Sequence, residues 1–115
     1  MTIDVFFAEN AIKDYYEKVK SAEKNGKKPP LLNEDEAEAV ISLLTKRREE
    51  YLELFLNNFD EKCNRSMMLK ALFLARIFIK DITLTKLSRE EAVKMLKSMK
   101  SHHAKKVLKE LDNKF

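Results

Sequence analysis

Residues 64–80 read NRSMMLKALFLARIFIK and contain the longest apolar stretch of the chain. Apolar residues dominate it, and it holds neither glycine nor proline, so the pattern predicts a helix over the whole range. A helix that is apolar nearly all round needs neighbours on several sides. Lys70 and Arg76 interrupt the apolar run, which makes it too short and too charged to span a bilayer. We therefore expect a central helix of an all-α protein.

The N-terminal part of the chain predicts a long first helix over about residues 4–25. Apolar residues recur there at helical spacing, with Asp4 as a plausible N-cap and Gly26 where a left-handed C-terminal cap is expected. Tyr15 and Tyr16 are adjacent, so they cannot both point inward, and we expect one at the surface. Lys27–Pro30 then forms a stiff connector, because consecutive prolines exclude helix.

A second helix begins at Asn33, where Glu36 three residues later suggests a capping box. The polar run Thr45–Glu50 either continues this helix or marks a tight break, and helix propensity does not decide between them. A stripe of apolar residues at helical spacing follows, formed by Tyr51, Leu52, Phe55, Leu56 and Phe59. Asn57–Asp60 then indicates the end of this helix.

Beyond residue 80, the β-branched segment 81–87 is predicted to be a connector. Ser88–Glu91 has the serine-x-x-glutamate pattern of a capping box and predicts the start of another helix. Ser101 caps the last one. In total the sequence predicts five to six helices, arranged either as a HEAT-like α–α superhelical stack or as a compact irregular bundle, in a single helical domain over residues 1–115.

The composition supports this class. The 115 residues are 44% hydrophobic and 37% charged, with one glycine and two prolines, too few for the turns of a β-sandwich or barrel. The net charge is +4, and it is concentrated after residue 85, where nine basic residues face four acidic ones. A single cysteine suits a reducing compartment, so we expect a cytoplasmic protein. Because the longest apolar stretch is too short and too charged to span a bilayer, we expect no membrane insertion.

Four segments, in order, resemble a known family, the N-terminal HEAT-like domain of the bacterial B-class aconitase, over roughly residues 12–111. They are Tyr15–Leu44, Glu50–Asn58, Lys70–Ile77 and Leu87–Met99. In the loops at 46–50 and 60–64 the family has proline and glycine, whereas this chain has charged residues. The resemblance implies an α–α superhelical domain, standing alone or truncated, that mediates protein–protein contact and self-association. The cluster cysteines and catalytic domains of the enzyme lie outside the resembling region.

The basic tail gives the alternative interpretation. Exposed lysines on the last two helices indicate contact with a partner protein or with nucleic acid. They are Lys94, Lys97, Lys105, Lys106 and Lys109. Because few aromatic residues are interleaved with them, we favour a non-catalytic protein–protein interaction module, whose partner is another protein or a second copy of the chain. A small nucleic-acid-binding regulator is the alternative.

Catalytic chemistry has little support in the sequence. Cys63 has no histidine near it in sequence, and His102 and His103 point about 100° apart on a helix without an obvious third ligand. The carboxylates at 34–38 and 49–53 are interpreted as helix caps and solvated faces. The Phe55/Phe59 and Phe73/Phe78 pairs suit a core better than a ligand pocket. We predict no catalytic residue, cofactor or metal site, and no enzymatic activity.

Overall fold

The computed structural model describes residues 4–114, and all of its regular structure in this range is helical. The α-helices are α1 (Val5–Lys24), α2 (Glu34–Thr45), α3 (Leu52–Asn57), α4 (Asn64–Phe78), α5 (Arg89–Ser98) and α6 (His102–Lys114). A 3₁₀ turn, Glu49–Tyr51, precedes α3. The described range contains six α-helices and no strand, which confirms the all-α prediction.

The chain divides into two compact units, one ending at Asp60 and the other beginning at Glu61. In the first, α2 packs against α1 and α3; in the second, α4 packs against α5 and α6, which also contact each other. The single domain over residues 1–115, of which 1–3 and 115 lie outside the described range, stays a prediction. The choice between a HEAT-like stack and an irregular bundle does too.

The core of the first unit forms where helical spacing predicts it. The side chains of Ile12, Tyr15 and Phe55 are fully buried, whereas Tyr16 remains 42% exposed, which confirms that only one of the two adjacent tyrosines points inward. The Leu32 amide donates to the Asn58 carbonyl (2.9 Å), so the connector after α1 is held against the end of α3. The stripe prediction is wrong at Leu56, which is 36% exposed; Leu54 is buried in its place.

In the second unit α4 packs against α5 and α6 and leaves part of its surface exposed. The buried residues of α4 include Met67, Phe73, Leu74 and Ile77, and the helix contacts both α5 and α6. Leu72 lies on the opposite side of the helix and is 48% exposed. The helix therefore has more than one neighbour, as predicted, but the side that carries Leu72 is exposed.

The predicted helix starts are confirmed by side-chain caps. The Asp4 carboxylate accepts from the Phe6 amide (2.7 Å), and the Ser101 hydroxyl accepts from the His103 amide (3.1 Å). Asn33 and Ser88 both form full capping boxes with the glutamate three residues later. Each box satisfies two amides that the helix itself leaves without a partner.

Three helices end in the same left-handed turn. Gly26, Arg47 and Lys80 follow α1, α2 and α4 with φ values of 66°, 64° and 65°. In each case this residue's amide and the next one bond back to two carbonyls of the last turn; after α2 the bonds are Arg47 to Leu44 (2.9 Å) and Arg48 to Leu43 (3.0 Å). This geometry ends α2 at Thr45, so the polar run at 45–50 is a break. It also ends α4 at Phe78, before the predicted Lys80.

Arg47→Gly is expected to stabilise the protein by about 0.5–1 kcal/mol. A left-handed conformation costs a non-glycine residue about 1–2 kcal/mol, and the greater freedom of glycine in the unfolded chain offsets only part of the gain. Urea unfolding followed by circular dichroism measures the change. Lys46→Gly removes the same charge one residue earlier, where φ is −87°, and is expected to destabilise. Equal effects of the two substitutions would contradict the strain at Arg47.

The second capping box adds a pH-dependent term to stability. The Ser88 amide and hydroxyl lower the pKa of the Glu91 carboxyl from its ordinary 4.5. A depressed folded-state pKa contributes stability above pH 4.5, and this contribution is lost as the pH falls through the folded-state value. Glu91→Gln is therefore expected to lower stability at neutral pH and to approach the wild type in acid. Unfolding midpoints across that range test this, with Glu90→Gln, in the same helical turn, as the matched charge removal.

Candidate functional site

The exposed side of α1 carries aromatic side chains. Phe6 is 68% exposed, and it lines an open depression of about 550 Å³ together with Tyr16. We call the row formed by Phe6, Glu9, Lys13, Tyr16 and Lys20 the α1 face, since helical spacing places these residues on one side. Tyr51, which follows the break after α2, also lines the depression.

Charges of both signs surround these rings. The Arg48 guanidinium lies 5.6 Å from the centre of the Tyr51 ring, 3.8 Å from the Glu9 carboxylate and 2.9 Å from that of Glu50. The hydrogen bond to Glu50 raises the pKa of Arg48 above its ordinary value. Partial burial, with Tyr51 nearby, raises the pKa of Tyr16. The α1 face therefore presents a neutral phenol with charges of both signs nearby.

The five predicted lysines are all exposed in the second unit. Lys94 and Lys97 lie on α5 beside a depression of about 390 Å³, which Phe78 and Val93 also line. Lys105, Lys106 and Lys109 lie on α6. Their exposure suits a binding role, and their contact with nucleic acid or a partner stays a prediction.

The two histidines and the cysteine lie near the starts of helices. Cys63 is the N-cap residue of α4. The His103 Nε2 atom lies 2.9 Å from the Asn64 side-chain oxygen, and the rings of His102 and His103 are 4.1 Å apart. Between residues 4 and 114, no group of three or more histidine, cysteine, aspartate or glutamate side chains is arranged to hold a metal ion.

The acidic run at the start of α2 serves as a cap, as predicted, and Glu36 does more than the pattern suggested. Its side chain is only 5% exposed. It accepts from the Asn33 amide (2.9 Å) and from the Lys18 ammonium of α1 (2.8 Å). The carboxylate thus closes the capping box and links α2 to α1. Three of the four phenylalanines that the sequence assigned to the core are buried, namely Phe55, Phe59 and Phe73. The fourth, Phe78, lines the depression beside α5.

Ser66 is the buried hydroxyl for which the described residues supply no hydrogen-bond partner. Its side chain is fully buried in α4. Ser66→Ala is expected to stabilise the protein by about 1 kcal/mol, because it removes a desolvated polar group and raises helix propensity. Thermal unfolding measures the change. Ser98→Ala gains the same propensity but loses a bond to the Met95 carbonyl (2.9 Å), so it is expected to gain less.

Comparison with known proteins identifies the family of the chain. The family model described as "Aconitate B N-terminal domain" matches residues 14–114. The chain belongs to this aconitase B N-terminal domain family. The resemblance inferred from four ordered segments is thereby confirmed. No curated protein and no solved structure matches the chain.

The family match covers the first unit from residue 14 and the second unit up to residue 114, so of the α1 face only Tyr16 and Lys20 lie within it. The aconitase B N-terminal domain is a part of that enzyme other than its catalytic domain. In residues 4–114 no helix has both the length and the apolar character that crossing a membrane requires.

Proposed function

We propose that this aconitase B N-terminal domain is a non-catalytic protein–protein interaction module that binds a second copy of itself through the α1 face. The observation that carries the proposal is the exposed row Glu9, Lys13, Tyr16 and Lys20, which repeats at intervals of four, three and four residues. This spacing is the one that pairs two helices along a seam. Phe6, at the end of the row, supplies exposed apolar area that pairing would remove from water.

The row is complementary to itself when it runs antiparallel. About a two-fold axis between residues 14 and 15, Glu9 faces Lys20 of the second copy, and Lys13 faces Tyr16 of the second copy. The first pair is an ion pair and the second a cation–π contact, and symmetry repeats each of them. In the single chain Glu9 lies 3.8 Å from Arg48, and Lys20 lies 4.0 Å from Glu17. These ion pairs are long and solvent-exposed, so replacing them with pairs across the dimer costs little stability.

A charge swap tests this arrangement. Light scattering after gel filtration, over a range of protein concentrations, is expected to show a dimer that Glu9→Lys or Lys20→Glu weakens. The double variant Glu9→Lys/Lys20→Glu restores opposite charges and is expected to recover the dimer. Asp14→Lys, which changes a charge on another side of α1, serves as the control. A wild-type chain that stays monomeric at every concentration overturns the proposal.

The alternative, a small nucleic-acid-binding regulator, is favoured by one observation: the predicted lysines of α5 and α6 are exposed. Binding through them would weaken steeply with salt, because bound phosphates release counterions. Lys105, Lys106 and Lys109 changed to glutamate would abolish retention on DNA or RNA. No retention of the wild type at low salt removes this alternative. The HEAT-like stacking and the cytoplasmic location that the sequence suggests belong to the proposal as well.

A further inference from the structure

We propose that the groove beside α5 binds an acidic segment of another protein that carries apolar side chains. We call this the α5 groove; it is the depression of about 390 Å³ lined by Phe78, Arg89, Glu90, Glu91, Val93, Lys94 and Lys97. It lies in the second unit, whereas the α1 face lies in the first. This inference therefore goes beyond self-association and does not depend on it.

The floor of the α5 groove is apolar. Phe78, the last residue of α4, and Val93, in α5, are both partly buried and line it. A volume of this size accepts one or two aliphatic side chains of the occupant. When these side chains pack against Phe78 and Val93, the apolar surface of both partners is removed from water. The floor therefore selects an occupant with apolar side chains.

Arg89 fixes one end of the groove. Its Nε donates to the Phe78 carbonyl at 2.5 Å, and its guanidinium lies 4.9 Å from the centre of the Phe78 ring. A guanidinium has five N–H donors, so further donors remain for a carboxylate of the occupant. Arg89 also lines a neighbouring depression of about 350 Å³, whose walls include Ile82 and Leu84. One guanidinium between two apolar depressions suits a carboxylate flanked by apolar side chains.

The exposed rim makes the groove more basic. Lys94 and Lys97 lie one helical turn apart on α5, and both are exposed. Glu91, the opposing charge, is engaged in its capping box, where its carboxylate accepts from the Ser88 amide at 3.0 Å. Arg89 and the two lysines outnumber Glu90 and Glu91 by one charge, so acidic side chains complement the rim.

Two features favour a polypeptide over a nucleic acid here. The guanidinium of Arg89 already lies over the Phe78 ring, and the rest of the lining is non-aromatic, so a base finds no stacking platform. Glu90 and Glu91 at the edge repel a continuous phosphate backbone, while separate carboxylates on a peptide can avoid them.

Fluorescence anisotropy tests the inference with a labelled peptide in which leucine and glutamate alternate. Two matched peptides carry glutamine for each glutamate or serine for each leucine, and both are expected to bind more weakly. Lys94→Glu/Lys97→Glu is expected to weaken binding of the acidic peptide by about tenfold, the effect of two reversed charges at a rim. Val93→Ser keeps the charge and is expected to weaken binding through the apolar floor.

The control variant, Lys27→Glu/Lys28→Glu, makes the same charge change in the first unit and is expected to leave binding unchanged. Three results overturn the inference: equal loss in the control and groove variants, equal binding of the acidic and glutamine peptides, or tighter binding of a single-stranded RNA that displaces the peptide. The α1 charge swap, measured on the same preparations, shows separately whether self-association holds, so either proposal can fail without the other.

Discussion

Phe55→Ala is expected to lower the free energy of unfolding by about 3–5 kcal/mol, the range for removing a buried aromatic ring. The Phe55 side chain is fully buried, and its ring centre lies 5.3 Å from that of Phe59 at an interplanar angle of 67°. The substitution removes this edge-to-face contact and leaves a cavity that a short helix of six residues cannot fill by itself. Urea unfolding followed by circular dichroism measures the loss.

Leu56→Ala is the matched control, because it truncates the next residue of the same helix. Leu56 is partly exposed, so the expected loss is less than about 1 kcal/mol. Similar losses for the two variants would contradict the assignment of Phe55 to the core and Leu56 to the surface. That outcome would also mean that the register of α3 differs from the one described here.

Tyr15→Phe is expected to cost about 1–3 kcal/mol, although it deletes a single oxygen atom. The Tyr15 hydroxyl donates to the Pro30 carbonyl at 2.7 Å and accepts from the Asn58 side-chain amide at 2.9 Å. Phenylalanine leaves both of these partly buried groups without that partner. Chemical unfolding at neutral pH measures the loss, and Tyr16→Phe, at the adjacent exposed ring, is expected to change stability by less than about 0.5 kcal/mol.

High pH provides a second measurement on Tyr15. Burial raises the pKa of its phenol above 10.0. A folded-state pKa above the unfolded one means that stability is present below pH 10.0 and is lost as the pH rises through the folded-state value. The wild type is therefore expected to approach Tyr15→Phe in stability at strongly alkaline pH. A gap that stays constant there would contradict the raised folded-state pKa of the Tyr15 phenol.

Features that depend on neighbours within a few residues were predictable from the sequence. The capping boxes at Asn33 and Ser88 and the turn at Gly26 involve bonds that span at most five residues, so their signals are local. The turn at Lys80 was not predicted, and the break at Arg47 was only one of two alternatives, because neither residue favours a left-handed conformation. Backbone bonds to the last turn of each helix accompany that conformation, and the residue types at these two positions give no signal for it.

Features of the candidate sites that join distant residues were not predictable. The Tyr15–Asn58 bond spans 43 residues and the Lys18–Glu36 bond spans 18, and no periodicity marks either pair. The exposure of Lys94 and Lys97 followed from helical spacing. The groove beside them did not, because it depends on where α4 ends and on the bond from Arg89 to the Phe78 carbonyl.

Asn58 joins three parts of the first unit. Its carbonyl accepts from Leu32, its side chain donates to Tyr15, and its own amide donates to the Leu54 carbonyl at 2.9 Å. A backbone hydrogen bond thus joins the two ends of the segment from Leu32 to Asn58, which contains α2 and α3. This bond holds the start of α2 close to the end of α3, so we expect the two helices to unfold as one cooperative segment.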